Sequence, residues 1–198
     1  MQAQEAAIWG EWKKITRFLE SSRIAFQREE MICSSFEIPD MHSARFTSRF
    51  GISTFQISLH DHIKTLQDES VLFSVVLTSS YTLVESFARV KLGIQSEEDL
   101  CGGIEVWGTR LLGRTGHEWS KVTGGKQGLI EVAVARNAIS HGIKKINQTM
   151  VSRFISSGCI SPWQIGESVT LDYQKLDDYR ARLKSLMRFS DNVKRRAK

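Results

Sequence analysis

Cysteine is scarce in this chain: Cys33, Cys101 and Cys159 are the only three, far apart and without a CxxC pair. That spacing argues against a disulfide framework and against a zinc site, and it suits a reducing compartment. The expectation is therefore a cytoplasmic protein without a metal or other cofactor. Long apolar runs are missing too. The longest, Val71 to Leu77, is broken by Ser74 and falls far short of the roughly 20 residues that span a bilayer. No membrane association is expected. The opening MQAQEAAIWGEWKK puts acidic and amide side chains where a secretory signal needs positive charge and then an apolar run. It reads as a helix. Internal repeats and low-complexity tracts are also absent.

What is present is ordinary for a folded domain. Of 198 residues, 41% are apolar and 25% charged, which is too apolar for a disordered chain and enough for one core with an appendage. The net charge of +5 is unevenly placed. Arg180, Arg182, Lys184, Arg188, Lys194, Arg195, Arg196 and Lys198 face only Asp191 at the end of the sequence. Such a stripe either meets phosphate or is the solvated basic end of a last helix.

Ile8, Trp12, Ile15 and Leu19 recur at helical spacing, so residues 3–31 read as a long amphipathic helix. Between Ser34 and Asp68, Pro39, Gly51 and many hydroxyl residues break any helical period. The alternation of Ile52, Phe55, Ile57 and Leu59 suits either a short extended segment or a packed loop. Leu72, Val76, Leu83, Phe87 and Val90 predict a helix that Gly93 stops. Ser96 before Glu97, Glu98 and Asp99 looks like an N-cap opening a helix to about Leu112, weakened by Gly102 and Gly103. After a glycine-rich loop, Leu129 to Ile139 is apolar on nearly all sides and reads as a central helix ending at Gly142. A short helix over 147–156, a β-like patch at Val169 to Leu171 and a last helix marked by Leu176, Tyr179, Leu183 and Leu186 complete the pattern.

Most motif candidates fail on their own chemistry. VTGGKQG lacks a phosphate-binding loop's first glycine, because Ser120 stands there, and Gln127 follows Lys126 where Ser or Thr is needed. His60 and His62, read on a strand, share a face, yet spacing marks no third metal ligand. The acid pairs Glu29/Glu30, Glu97/Glu98 and Asp177/Asp178 are helix neighbours about 100° apart and read as surface charge.

RNAISHG, Arg136 to Gly142, remains. An Arg, four to six intervening residues and a His occur twice, and about one such pair is expected by chance. Arg110 and His117 are followed and separated by Leu111, Gly113 and Gly116, so that pair straddles a helix end. Arg136 is followed by polar Asn137, lies on the apolar helix and precedes a glycine stop. This second segment resembles the signature of the HEPN superfamily, many of whose members are ribonucleases. The resemblance spans roughly residues 68–193. It implies an all-α fold: an antiparallel HEPN-like helical bundle over 68–198 with a basic C-terminal helix. Residues 1–67 then add an N-terminal helix and an irregular or short extended segment packed on it.

The resemblance further implies a metal-independent endoribonuclease, a toxin or antiviral effector, with a composite site between two copies and a partner such as an antitoxin to restrain it. RNA, tRNA among the candidates, would be cut to a 2′,3′-cyclic phosphate and a 5′-hydroxyl. His141 would take the 2′-hydroxyl proton and Arg136 would hold the charge on the phosphate. Asn137 and His141 lie about 40° apart on a helix and Arg136 and His141 about 140°, so Asn137 is placed to orient His141. Ser140 and Glu85 are candidate supports. Glu85 pairs either with Arg136 or, at i,i+4, with Arg89. Lys144, Lys145, Arg188, Lys194, Arg195 and Arg196 are candidate RNA contacts. Two rival readings stay open: a non-catalytic helical module that dimerises or holds a nucleotide or protein, and a nucleic-acid-binding regulatory subunit acting through the basic tail.

Overall fold

A computed structural model describes residues 2–38, 40–94, 100–140, 142 and 145–191. Helices account for 69% of the described residues, so the mainly α class holds, with one two-stranded hairpin added. The order is α1 (Gln2–Ser34), β1 (Arg45–Phe50), β2 (Ser53–Ser58), α2 (Leu59–Gln67), α3 (Ser70–Leu92), α4 (Ile104–Thr115), α5 (Gly125–Ser140), α6 (Gln148–Ser156) and α7 (Tyr173–Asp191). By contacts the chain divides into two compact units, residues 1–15 with 73–198, and residues 16–72. The division falls inside α1.

In the smaller unit, β1 and β2 pair antiparallel from Arg45↔Ser58 to Phe50↔Ser53. Gly51 takes φ 59°, as the first position of a two-residue hairpin loop favours. Of the two readings open to the alternation, the extended one holds, but Leu59 belongs to α2. Ser58 ends β2 and caps that helix, its hydroxyl oxygen accepting from the Asp61 N–H at 3.0 Å. Cys33, Leu59 and Ile63 form this unit's small core, with Met41 and Ala44 packed on it. Arg23 holds Glu69 through Nε at 2.9 and 3.2 Å.

In the larger unit α5 is central. Every residue from Gly128 to Ala135 is buried, and so is Ala138. Leu129, Ile130, Val132 and Val134 are each at most 1% exposed, which contributes about 1.5–3 kcal/mol per side chain. Helices α4, α6 and α7 pack on α5. Helix α3 is tied to α7 where Arg180 Nε donates to Ser80 Oγ at 3.2 Å. The start of α1 is fixed by Lys91, which meets Glu5 at 2.8 Å and Asp191 at 2.6 Å.

One expectation needs correction. Helix α4 begins at Ile104 behind an N-cap at Gly103, not at Ser96, which lies with residues 95–99 outside the described residues. Gly102 at φ 83° and an extended Gly103 stop a helix from passing through them, so the glycines that looked like a weak point are its boundary. By length and composition α3 is able to cross a membrane, which no uninterrupted run of residues revealed. Half of that stretch is buried inside the protein, the use a core helix makes of apolar surface.

Candidate functional site

The last two turns of α5 carry Arg136, Asn137 and Ser140. Ala135 and Ala138 are buried on either side of the polar pair, so the apolar face of the helix fixes which way the polar face points. Gly142 follows in the left-handed region at φ 67°, and its N–H donates to the Ile139 carbonyl at 3.0 Å. This is the glycine stop that the sequence called for.

Arg136 is held from three directions. Its Nη2 donates to Glu85 Oε1 at 3.3 Å and Oε2 at 3.2 Å, its Nη1 donates to Asn137 Oδ1 at 3.0 Å, and its guanidinium lies 4.4 Å from the centre of the Tyr81 ring. Such stacking adds about 0.5–2 kcal/mol, more as the pair is desolvated. Of the two pairings open to Glu85, the one with Arg136 is present. Burial pushes the Glu85 carboxyl above its ordinary value, and the charges of Arg136 and Arg89 only partly counter this. Tyr81 is buried, and its hydroxyl is pushed up well beyond the ordinary range, by burial first and by the Glu85 carboxylate second. It is a neutral wall.

The side-chain oxygen of Asn137 accepts from Arg136 and so positions the cation. His141, which Asn137 is expected to orient, lies outside the described residues. Ser140 Oγ is 3.3 Å from Thr78 Oγ1 on α3 and does not touch Arg136.

Asn137 also lines a cavity of about 590 Å³ together with Val134, Asn147, Thr149, Met150 and Arg153. Arg153 is anchored by Glu105, its Nε at 3.0 Å from Oε1 and its Nη2 at 2.7 Å from Oε2. Burial alone would raise the Glu105 carboxyl, but the Arg153 hydrogen bonds hold it below its ordinary value. The volume falls within the roughly 300–1,000 Å³ of small-molecule sites. Its lining offers amide, hydroxyl and guanidinium groups beside apolar Val134 and Met150.

The other sequence candidates disperse. Arg110 lies on α4 and His117 beyond its left-handed cap Gly116, with the His117 ring edge-on to Phe189 at 5.5 Å. Lys145 is exposed and forms an isolated bridge with Ser168, and Arg188 is exposed on α7. Lys144, Lys194, Arg195 and Arg196 lie outside the described residues. The basic stripe is thinner than it looked. Arg180 is buried with its guanidinium 5.0 Å from the Trp12 ring, and Arg182 pairs with Glu131 and Asp178, both at 2.6 Å.

Tyr81, Thr78, Arg153 and Glu105 escaped the sequence reading. Thr78, Tyr81 and Glu85 stand three and four residues apart on α3, so a face-by-face projection from Glu85 finds two of them. Nothing in the sequence linked Arg153 to this place. Comparison with protein-family models, with curated proteins and with solved structures gives no match for the chain.

Proposed function

We propose that this chain is a metal-independent endoribonuclease of the HEPN type, acting as a homodimer on RNA, tRNA among the candidates, and restrained in the cell by a partner such as an antitoxin. The observation that supports it most is the arrangement of Arg136. A guanidinium set by Glu85, Asn137 and Tyr81 stands at the end of the central helix, and the same Asn137 opens onto a cavity large enough for a nucleotide.

In this reading His141 removes the 2′-hydroxyl proton, O2′ bonds to phosphorus, and the bond from phosphorus to O5′ breaks. The departing 5′-oxygen takes up a proton, leaving a 2′,3′-cyclic phosphate and a 5′-hydroxyl. Arg136 offsets the negative charge that builds on the phosphate oxygens. Glu85 and Asn137 are positioning residues that hold the guanidinium, and a second copy brings its own Arg136 and His141 to the same cleft. Purified protein should cut RNA with chelator present and leave cyclic phosphate ends. Cutting that chelator stops in both the parent and a folded Cys33→Ser protein would overturn the metal-free chemistry.

A non-catalytic module is the second reading, and a specific observation favours it. Glu85 neutralises Arg136 and Glu105 neutralises Arg153, beside a cavity of about 590 Å³. A nucleotide or a peptide would then be held and not cut. Intact RNA after long incubation, together with saturable nucleotide binding lost in Asn137→Ala, would decide for it.

A further inference from the structure

The smaller unit contains a second set of chemically matched groups. Glu29 and Cys33 stand four residues apart near the end of α1 and so share one side of it, and His62 comes from α2. Glu29 Oε1 is 3.6 Å from Cys33 Sγ and 3.7 Å from His62 Nε2. All three ligand atoms lie within 4.8 Å of one another. Cys33 Sγ donates to Glu29 Oε1, but the His62 edge of the trio makes no hydrogen bond. At 3.7 Å the carboxylate is too far to accept from the imidazole, and His62 Nε2 is buried with no hydrogen-bond partner among the described residues. The Cys33 side chain is fully buried.

A divalent cation would give the unpartnered His62 Nε2 a bond and draw the three ligand atoms to one centre. With metal bonds of about 2.0–2.3 Å, a tetrahedral centre spaces sulfur from oxygen by about 3.6 Å and nitrogen from oxygen by about 3.4 Å. The two measured edges are within a few tenths of an ångström of those values. We propose that Glu29, Cys33 and His62 bind a thiophilic divalent cation, zinc by ligand chemistry, with a fourth position left to water. Thiolate, imidazole and carboxylate together favour zinc over magnesium or calcium, which take oxygen ligands. Binding sends the Cys33 thiol proton to solvent and leaves a thiolate and a carboxylate against the two positive charges of the metal. Glu29, with its side chain 40% exposed, supplies the route in. Phe46 lies against the His62 ring, centroids 4.7 Å apart and tilted by 32°, and limits its rotation. The ion would clasp α1 to α2.

The site is separate from the Arg136 chemistry, and its test does not involve RNA. Full-length protein, stripped with chelator and kept reduced, is titrated with cobalt(II) and then zinc. About one equivalent of cobalt should produce a thiolate-to-cobalt charge-transfer absorption that zinc displaces. Cys33→Ser should abolish that absorption, and His62→Gln, which keeps the thiol, should weaken the apparent affinity at least about tenfold. A Cys101→Ser/Cys159→Ser protein should behave as the parent does. If Cys33→Ser does not fold, the His62→Gln and Glu29→Gln titrations decide. The proposal is overturned by absence of the absorption in folded parent protein. An absorption that survives Cys33→Ser, disappears with the other two cysteines, or is indifferent to both His62→Gln and Glu29→Gln overturns it equally.

Discussion

Arg136 donates through one nitrogen, Nη2, to both carboxylate oxygens of Glu85, and through the other, Nη1, to Asn137. Three acceptor oxygens from two helices therefore fix the plane of one guanidinium, which a point charge on a flexible stem has no means of reproducing.

Arg136→Lys should accordingly lose RNA cleavage almost as fully as Arg136→Ala, by about 10²–10³-fold if the group holds transition-state charge. Single-turnover rates on a labelled RNA check this. Near-parental cleavage by the lysine variant would mean that position 136 supplies charge without geometry.

His141→Ala should lower cleavage by about 10²–10⁴-fold, the range for loss of a general base, with no change in oligomeric state by light scattering. The proposed composite site also makes cleavage second-order in protomer at high dilution. A strictly monomeric protein that still cuts would refute the two-copy arrangement.

Acid stability should follow Glu131. Burial by itself would raise this carboxyl, but hydrogen bonds from Lys175 and Arg182, then Tyr179, outweigh it and hold the group below its ordinary value. The distances are 2.6, 2.6 and 3.0 Å. A folded-state pKa below the unfolded one gives stability that is complete above the unfolded value, about 4.3, and is lost as pH falls through the folded value. Glu131→Gln should cost about 3 kcal/mol near neutrality and flatten the fall of Tm below pH 4. Glu85, whose carboxyl is raised, has the opposite sign: its contribution fades as pH rises through the folded value. Glu85→Gln should lower Tm at pH 7 by less than Glu131→Gln does.

Gly142→Ala should destabilise by about 1 kcal/mol, because φ 67° is strained for alanine although nothing lies within 4 Å of the added carbon. Gly142→Asn should cost less, since asparagine tolerates that region. Chemical denaturation of the three proteins distinguishes them. Equal losses would mean that space, not backbone conformation, limits the site.

The long helices were legible because their apolar spacing and glycine stops are local. Helix α1 and the end of α5 fall within a few residues of expectation. Helix α2 was not, because nine residues give too little periodicity to oppose the alternation running into Leu59. Its signal was instead Ser58 followed three residues later by Asp61, a side-chain cap. That misreading also hid the third-ligand question. On a strand His60 and His62 share a face, whereas on α2 they point about 200° apart, and His62 turns to Glu29 and Cys33 of a distant segment. The Arg136 to Glu85 contact spans 51 residues and was visible only as one of two pairings open to Glu85. Arg153 reaches the cavity through folding alone.

Ser58 sits at a junction with unequal tolerance on its two sides. Toward the hairpin, the chain can lengthen at the exposed Gly51 and Ile52 while the pairing of Arg45 with Ser58 stays in register. Toward α2, a single inserted residue would turn every following side chain by about 100° relative to the cap and carry His62 out of reach of α1. Length variation among natural descendants of this sequence should therefore accumulate at the hairpin tip and be absent between positions 58 and 62.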